Sequence, residues 1–567
     1  VLRGGRGRQR SGCGRLRRAS VGMAGVPRPG NGVRPWGRRA AAAATGLLLF
    51  ASFPPLEWSA CAWVALVPLG WAVAGQSRGR VARLALLSGA MFWVPTLAWV
   101  RCVTWAGWIV LAMYCALYSI PMAWAVARFA SPAWRARLGG ALLLSGALAA
   151  SWAGWEALRG WWFTGFPWNF LGVSQYRNLA LLQHAEWGGV AFLSAVVAWV
   201  NGMALSVSLS FAERRRTATA RLEWMLGAVL VAALLAGGAG MASTAASRSA
   251  GRALRLGLVQ PAIPQYEKWT EASYGGMLER FDRLSRAALA LQPDLLVWPE
   301  TALPEIYGRG GGGFDLVGRT VAGGVPLLFG ALDSEADETG RAAVFNAAIL
   351  AGPGPETLEV YRKQHLVLFG EYVPFRRWLP WLGRLVPMDY DLSPGARPIV
   401  FRRGLGGVPF AVLICFEDTI PELAIRLVRE GACLLFVLTN DAWFDGTWGH
   451  RQHLIQCVPR AVETRRPVVR CANSGVTCWI DALGRIGGER GESGGALPVV
   501  GPNRRPAIGF LTADVPSAPE SAPPTFMVRR GPVVARLLAI AALALTAGEG
   551  ASAWRRRRGK LPAESSG

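Results

Sequence analysis

The sequence predicts a multi-pass α-helical membrane domain of about eight spans joined to a large α/β domain. Three observations predict it. The 567-residue chain is 52% hydrophobic and holds 26 Trp, which is too apolar for an ordinary soluble enzyme. Apolar stretches of spanning length recur before residue 242, and one more follows residue 530. Between them the pattern changes: apolar runs shorten to about five to nine residues and are separated by polar, Gly- or Pro-containing segments.

Residues 1–39 are rich in Arg and Gly, lack an apolar run and contain the first Met, Met23. They read as a basic disordered tail or a mistranslated leader. Residues 40–241 form the transmembrane domain, with spans expected at 40–56, 58–76, 82–104, 106–127, 138–158, 180–211 and 222–241. The first two form a tight hairpin around Phe53-Pro54-Pro55. An eighth span at 531–552 leads to a basic tail, 553–567. The net charge of +25 is concentrated in the N-terminal segment, Arg78–Arg83, Arg128–Arg137, Arg214–Arg216 and Arg555–Arg558. With seven spans ahead of residue 242 and one behind residue 530, all these basic segments fall on one side, which their charge marks as cytoplasmic. Residues 242–530 then lie outside. A charge distributed this way argues against nucleic-acid binding.

In 242–530, strands are expected at 254–260, 294–298, 326–332, 344–351, 358–362, 409–414, 433–439, 468–472, 477–482 and 507–513, with helices at 274–291 and 422–430. This is a layered α/β domain with a buried central sheet. The segment Arg159–Phe170, between the fifth and sixth spans, carries Trp161, Trp162, Phe163, Phe166, Trp168 and Phe170. It is either an interfacial aromatic belt or a loop lining lipid access to an outside site.

Three segments end in reactive side chains. Leu295–Glu300 ends in a carboxylate, Leu358–Lys363 in an amine, and the apolar run Val408–Glu417 holds Cys415 near its end. A thiol attacks a carbonyl as thiolate, so it needs a base or a positive field. Glu300 is placed to take the proton of Cys415. Lys363 is placed to stabilise a tetrahedral oxyanion, with the backbone N–H of Phe416 as a second donor. The nine cysteines include no CxxC pair; Cys471 and Cys478 flank a turn and read as two buried thiols. His450 and His453, near Asp445, lack the further ligands of a metal site and read as a loop or helix-start pair. Gly310–Gly313 has no following Lys-Ser/Thr and reads as a flexible loop.

The words around these residues resemble a known family. Trp298-Pro299-Glu300, Tyr361–Lys363 leading into His365–Phe375, Ile414–Glu417 and Thr439–Phe444 resemble the nitrilase, or carbon-nitrogen hydrolase, superfamily. Within it they resemble the apolipoprotein N-acyltransferases, as do Gly165–Trp168, Arg460–Arg470 and Ala472–Val476. The resemblance covers about 40–552. It implies an extracytoplasmic nitrilase-like αββα sandwich on the outer side of a bacterial cytoplasmic membrane. It implies Glu300 as base, Lys363 as oxyanion partner and Cys415 as nucleophile. Glu371 would orient Lys363 or the thiol, Glu417 would support the turn at Cys415, and Trp269 and Trp443 would contact substrate from loops near the site. The implied reaction takes an acyl chain from a phospholipid such as phosphatidylethanolamine onto Cys415 as a thioester. The acyl group then passes to the α-amine of a diacylglyceryl-cysteine on an apolipoprotein. No cofactor is implied, and a monomer is expected.

The chain departs from the family pattern at three places. Phe416 stands where Tyr is frequent, Gln260–Ile263 lacks the commoner Gly-Asn, and Cys457-Val458 replaces Ala-Arg ahead of Pro459, which would disturb a helix. The alternative function is a membrane-tethered amidase or nitrilase using the same Glu-Lys-Cys triad.

Overall fold

The computed structural model describes residues 35–213, 218–248, 251–268, 270–306, 310–336, 342–353, 357–376, 378, 391–487 and 507–558. Among the described residues, four helices are long and apolar enough to cross a membrane: Trp105–Phe129, Gly140–Trp161, Ala185–Ala212 and Ala218–Ala245. Pro35–Ala51, Arg78–Thr96 and Val533–Arg558 are helical too. The first helix therefore starts inside the segment 1–39 that the sequence assigns to a tail; residues 1–34 lie outside the described residues.

Expected spans 58–76 and 180–211 are among those that are not single helices. Segment 58–76 is a 3₁₀ turn, Ser59–Trp63, and then a short helix, Val67–Val73. Pro68 lies in the first turn of that short helix, where its missing N–H costs nothing, whereas a helix continuing through it would lose a bond and clash. Segment 180–211 is a short helix, Leu179–Leu182, followed by Ala185–Ala212, which kinks at Gly189 (φ 63°). Small residues let the helices approach closely. A Cβ on Gly154 would come within 2.2 Å of the Leu538 carbonyl oxygen of the last helix. On Ala218–Arg248, Leu222, Met225, Leu226, Val229 and Leu230 are exposed, the surface of a helix that meets lipid rather than protein.

Among the described residues the α/β unit has twelve strands: β1 Ala253–Gln260, β2 Leu295–Val297, β3 Leu303–Ile306, β4 Leu327–Ala336, β5 Ala342–Ala351, β6 Thr357–Arg362, β7 Val400–Phe401, β8 Phe410–Ile414, β9 Leu434–Thr439, β10 Val468–Ala472, β11 Cys478–Ile480 and β12 Gly509–Pro516. They form two sheets, which corrects the expectation of one central sheet. The first has the order β12-β1-β2-β4-β5-β6 with β3 beside β4; the second has the order β11-β10-β9-β8-β7. Parallel β1, β2 and β4, and parallel β8, β9 and β10, form the centres of the two sheets.

Period-two side chains explain why two layers form. Leu254, Leu256 and Leu258, with Leu295 and Val297, face Phe410, Val412, Ile414, Leu434, Phe436 and Leu438 in one core between the sheets. The intervening residues face outward. Leu296 and Val259 meet the helices Glu271–Leu289 and Gly312–Val321. Ala411, Leu413, Leu435 and Val437 meet the helices Pro421–Arg429 and Gly449–Thr464. Runs buried on both faces cannot show this alternation in their composition, since every position is apolar. The result is an αββα sandwich. Its second helix layer shares one continuous apolar core with the membrane helices, through Leu454, Ile455, Val458 and Ala461 against Trp168, Leu171, Val190 and Leu193.

Two local readings need correction. Gly312 and Gly313 open a helix rather than belonging to a loop, because Leu316, Val317 and Val321 bury one face of it. Gly449–Thr464 continues through Pro459. A proline inside a helix costs about 3 kcal/mol, but here every residue except Arg451 is buried, and packing outweighs that cost.

Candidate active site

Glu300, Lys363 and Cys415 each follow the C-terminal end of a strand. β2 is followed by Trp298, wholly buried, whose Nε1 donates to Ser285 Oγ at 2.9 Å, and this fixes the turn that presents Glu300. β6 ends at Arg362, and the N–H of Lys363 donates to the Asn346 carbonyl at 2.8 Å. β8 ends at Ile414, and Cys415 opens a 3₁₀ turn at φ 53°. A left-handed non-glycine residue is strained, and the turn around it must be held from elsewhere.

Glu417 does the holding. It is wholly buried; Oε1 accepts from the N–H groups of Gln364 (2.7 Å) and His365 (3.0 Å), and Oε2 accepts from the N–H of Ile414 (2.8 Å). The Tyr361 hydroxyl donates to the same carboxylate at 2.9 Å. One side chain thus ties the Lys363 segment to the Cys415 turn. Burial pushes the Glu417 carboxyl pKa up, against the pull of Lys363 and these N–H donors.

Lys363 is 1% exposed, with Nζ 2.9 Å from the Glu371 carboxylate and 3.8 Å from Glu300. Burial alone would lower its pKa, but Glu371, Glu300 and the other acidic groups outweigh that, so the ammonium is held charged. Asn346 Nδ2 joins the two acids, donating to Glu300 Oε1 at 2.8 Å and Glu371 Oε1 at 3.1 Å. The second Glu300 oxygen accepts from the N–H of Asn440 at 2.8 Å. Cys415 keeps partial solvent access. Its protein surroundings and the Glu300 charge push the thiol pKa well up, while Lys363 pulls it down.

These groups all lie within one of two stretches that match known domains. The apolipoprotein N-acyltransferase N-terminal domain matches residues 45–203, and the carbon-nitrogen hydrolase domain matches residues 255–497. The apolipoprotein N-acyltransferase of Geobacter metallireducens is 35% identical over 459 residues, covering 78% of this chain and 85% of the relative. That of Azotobacter vinelandii is 36% identical over 393 residues, covering 67% and 71%. The chain belongs to the apolipoprotein N-acyltransferase family. Among solved structures, Nit3 of Saccharomyces cerevisiae, a member of branch 10 of the nitrilase superfamily, aligns at 17% identity with a TM-score of 0.33, covering 47% of this chain and 90% of that one. Family membership makes the chain an acyltransferase.

In this acyltransferase the aromatic loop after Gly140–Trp161 reaches the Cys415 turn. Trp168 lies parallel to Phe416 (centroids 6.3 Å apart, 5° between planes), Phe166 stacks on it at 6.2 Å, and His365 at 6.0 Å. The Phe416 ring therefore packs where a polar phenol would otherwise need a partner. Trp443 is half-buried in the turn Asp441–Phe444, which follows Asn440. Trp269 lies outside the described residues. Cys471 and Cys478 are buried free thiols. Sequence reasoning missed Asn346, Asn440 and Lys268. The last is buried; its Nζ donates to the Glu300 carbonyl at 3.1 Å, and burial, opposed by the Glu300 charge, lowers its pKa to about 8. No local pattern marks Asn346 in its strand. His450 and His453 lie in the first turns of Gly449–Thr464.

Proposed function

We propose that this acyltransferase carries a fatty acyl chain from a membrane phospholipid, of phosphatidylethanolamine type, to the N-terminal amine of a diacylglyceryl-cysteine on an apolipoprotein. The buried Lys363 ammonium, clamped between Glu371 and Glu300 beside the strained Cys415 turn, carries this reading.

A thiol whose pKa is pushed up must lose its proton during attack. Glu300 takes that proton as Cys415 Sγ bonds to the ester carbonyl of the phospholipid. The oxyanion meets Lys363 Nζ and the Phe416 N–H. As the carbon–oxygen bond breaks, Glu300 returns the proton to the leaving lysophospholipid oxygen, and a thioester remains. The α-amine of the acceptor then attacks the thioester and yields its proton to Glu300, and the thiol departs with that proton. A thioester is activated toward amines and lasts where water is excluded. Glu371 and Glu417 hold Lys363 and the Cys415 turn, and Trp269 and Trp443 contact substrate. All these groups come from one chain, so a monomer suffices. Both substrates being bilayer lipids accounts for seven spans in 40–241 and an eighth at 531–552, with 242–530 outside the cytoplasmic membrane and the basic tail inside.

The test is incubation of the purified protein with acyl-labelled phospholipid. Hydroxylamine-sensitive label should appear on the protein and disappear in Cys415→Ala, then chase onto a diacylglyceryl peptide. Label released only to water, with simple amides also cleaved, would support the tethered-hydrolase alternative instead.

A further inference from the structure

Asp418, Asp441, His453 and Arg470 form a closed ring beneath the site, each at most 2% exposed. Each carboxylate is bridged by one imidazole nitrogen and one guanidinium nitrogen. His453 Nε2 lies 3.1 Å from Asp418 Oδ1, and Nδ1 lies 2.8 Å from Asp441 Oδ1. Arg470 Nη1 lies 2.7 Å from Asp418 Oδ2, and Nη2 lies 2.7 Å from Asp441 Oδ2.

The ring joins two parts of the proposed machinery. Asp418 is in the same 3₁₀ turn as Cys415. Asp441 follows Asn440, whose N–H holds Glu300, and it also accepts from Thr439 Oγ1 at 2.9 Å. We propose that His453, held as an imidazolium, is a positioning residue that locks the Cys415 turn to the loop gripping Glu300.

Charge balance supports this. Two buried carboxylates and one guanidinium leave an uncompensated negative charge, which is costly without water. An imidazolium cancels it and supplies the two donors that the two facing oxygens need. Groups face the ring from several elements, among them the Cys415 thiol toward Asp441 and the Cys457 thiol toward Asp418. Asp418 faces His453 from the nucleophile turn, Asp441 from its loop, and Arg470 from β10. The Trp168 ring of the membrane-domain loop lies 5.7 Å away. On its own helix, His450 turns to Asp445 at 3.3 Å and the Cys457 thiol donates to the Leu454 carbonyl. Arg470 Nη2 also lies 2.9 Å from Nδ1. A neutral His453 protonated on Nε2 would accept from it there, and the test separates that tautomer from the cation. Burial and Arg470 lower the His453 pKa, Asp418 and Asp441 together raise it more, and the net value is about 9.

The chain has four histidines. With His184, His365 and His450 each replaced by Gln, ¹⁵N-histidine NMR of the full chain in detergent reports His453 alone. Two protonated-nitrogen shifts at pH 8 are expected; a neutral Nε2–H imidazole overturns the proposal. This arm is independent of the function proposed above. The kinetic arm rests on that function and applies once the wild-type chain forms an acyl-enzyme. His453→Gln should slow single-turnover acylation by about tenfold or more, with KM changed by less than about twofold. Adding Asp418→Asn removes the excess charge, so the double variant should be faster than the two separate losses multiply to. A wild-type rate in His453→Gln, or strictly multiplicative losses, overturns the proposal.

Discussion

Asn346 shows how one uncharged side chain can set the protonation balance of a site. Its amide hydrogens serve Glu300 and Glu371, and its Oδ1 is buried without a partner among the described residues. The amide cannot flip without turning an oxygen toward two carboxylates. Asn346→Asp would place a third carboxylate against Lys363, and should destabilise the fold by about 3 kcal/mol and cut acylation about a hundredfold or more. Thermal unfolding in detergent and single-turnover labelling measure the two effects. The buried ring gives a pH prediction whose sign follows from its pKa shifts. His453, raised to about 9, stabilises the fold fully below its unfolded value of about 6.5 and loses that contribution as pH rises through about 9. The Asp441 carboxyl is depressed: burial raises it, but Arg470 and His453 outweigh burial. Its contribution is present above its unfolded value of about 3.9 and is lost only as pH falls through the lower folded value. Lys268, lowered to about 8, gives the opposite slope above that pH, so the melting temperature should decline from about pH 6.5 to 8, and more shallowly in His453→Gln. A profile flat over that window in the wild-type chain would contradict the shift.

At the scale of elements, strand ends decide where the reactive atoms go, and close backbone packing decides how accurately. β4 passes so near the Glu300 turn that a Cβ on Gly330 would meet the Thr301 nitrogen at 2.4 Å and the Glu300 Cα at 2.7 Å. Those atoms are backbone and cannot rotate away. Gly330→Ala should displace Glu300, cost about 1–3 kcal/mol of stability and reduce acylation about a hundredfold, whereas Gly318→Ala, with open space at its Cβ, should do neither. The Glu300, Lys363 and Cys415 positions were legible because each closes its own short apolar run. Asn346 was not. It lies inside β5, and its contacts to Glu300 and Glu371 arise only when β5 pairs with β6 and the Trp298–Glu300 turn folds over both. His453 was read only as half of a loop or helix-start pair with His450, since its partners lie on three other segments.

Across the whole molecule, the sandwich and the membrane helices are one packed body. Gln452 shows this at the seam. Its Oε1 accepts from Trp168 Nε1 (2.9 Å) and Trp99 Nε1 (3.2 Å), and its Nε2 donates to the Pro54 carbonyl (3.0 Å) and the Thr96 carbonyl (3.2 Å). Gln452→Leu would leave two indole N–H groups and the Pro54 carbonyl unsatisfied, while the Thr96 carbonyl keeps the Trp448 indole donor at 3.2 Å. It should cost about 2–4 kcal/mol and lower acylation, because Trp168 also packs on Phe416. Loss of melting temperature with full acylation would separate the two effects and count against the coupling. The Arg159–Phe170 segment, left open in sequence between an aromatic belt and a lipid-access loop, packs through Phe166 and Trp168 on the Cys415 turn.

The sequence by itself determined the apolar helices, most strands, the three strand-end residues and the family, because these follow from local hydrophobic period and from contiguous words. Tertiary structure alone decided which strands enter which of the two sheets, that Pro459 stays inside a helix, and that Asn346, Asn440 and the Asp418–His453–Asp441–Arg470 ring surround the thiol. Those features depend on pairings across tens to hundreds of residues. A buried polar group is given its meaning by the partner that satisfies it, and that partner is not its neighbour in the chain.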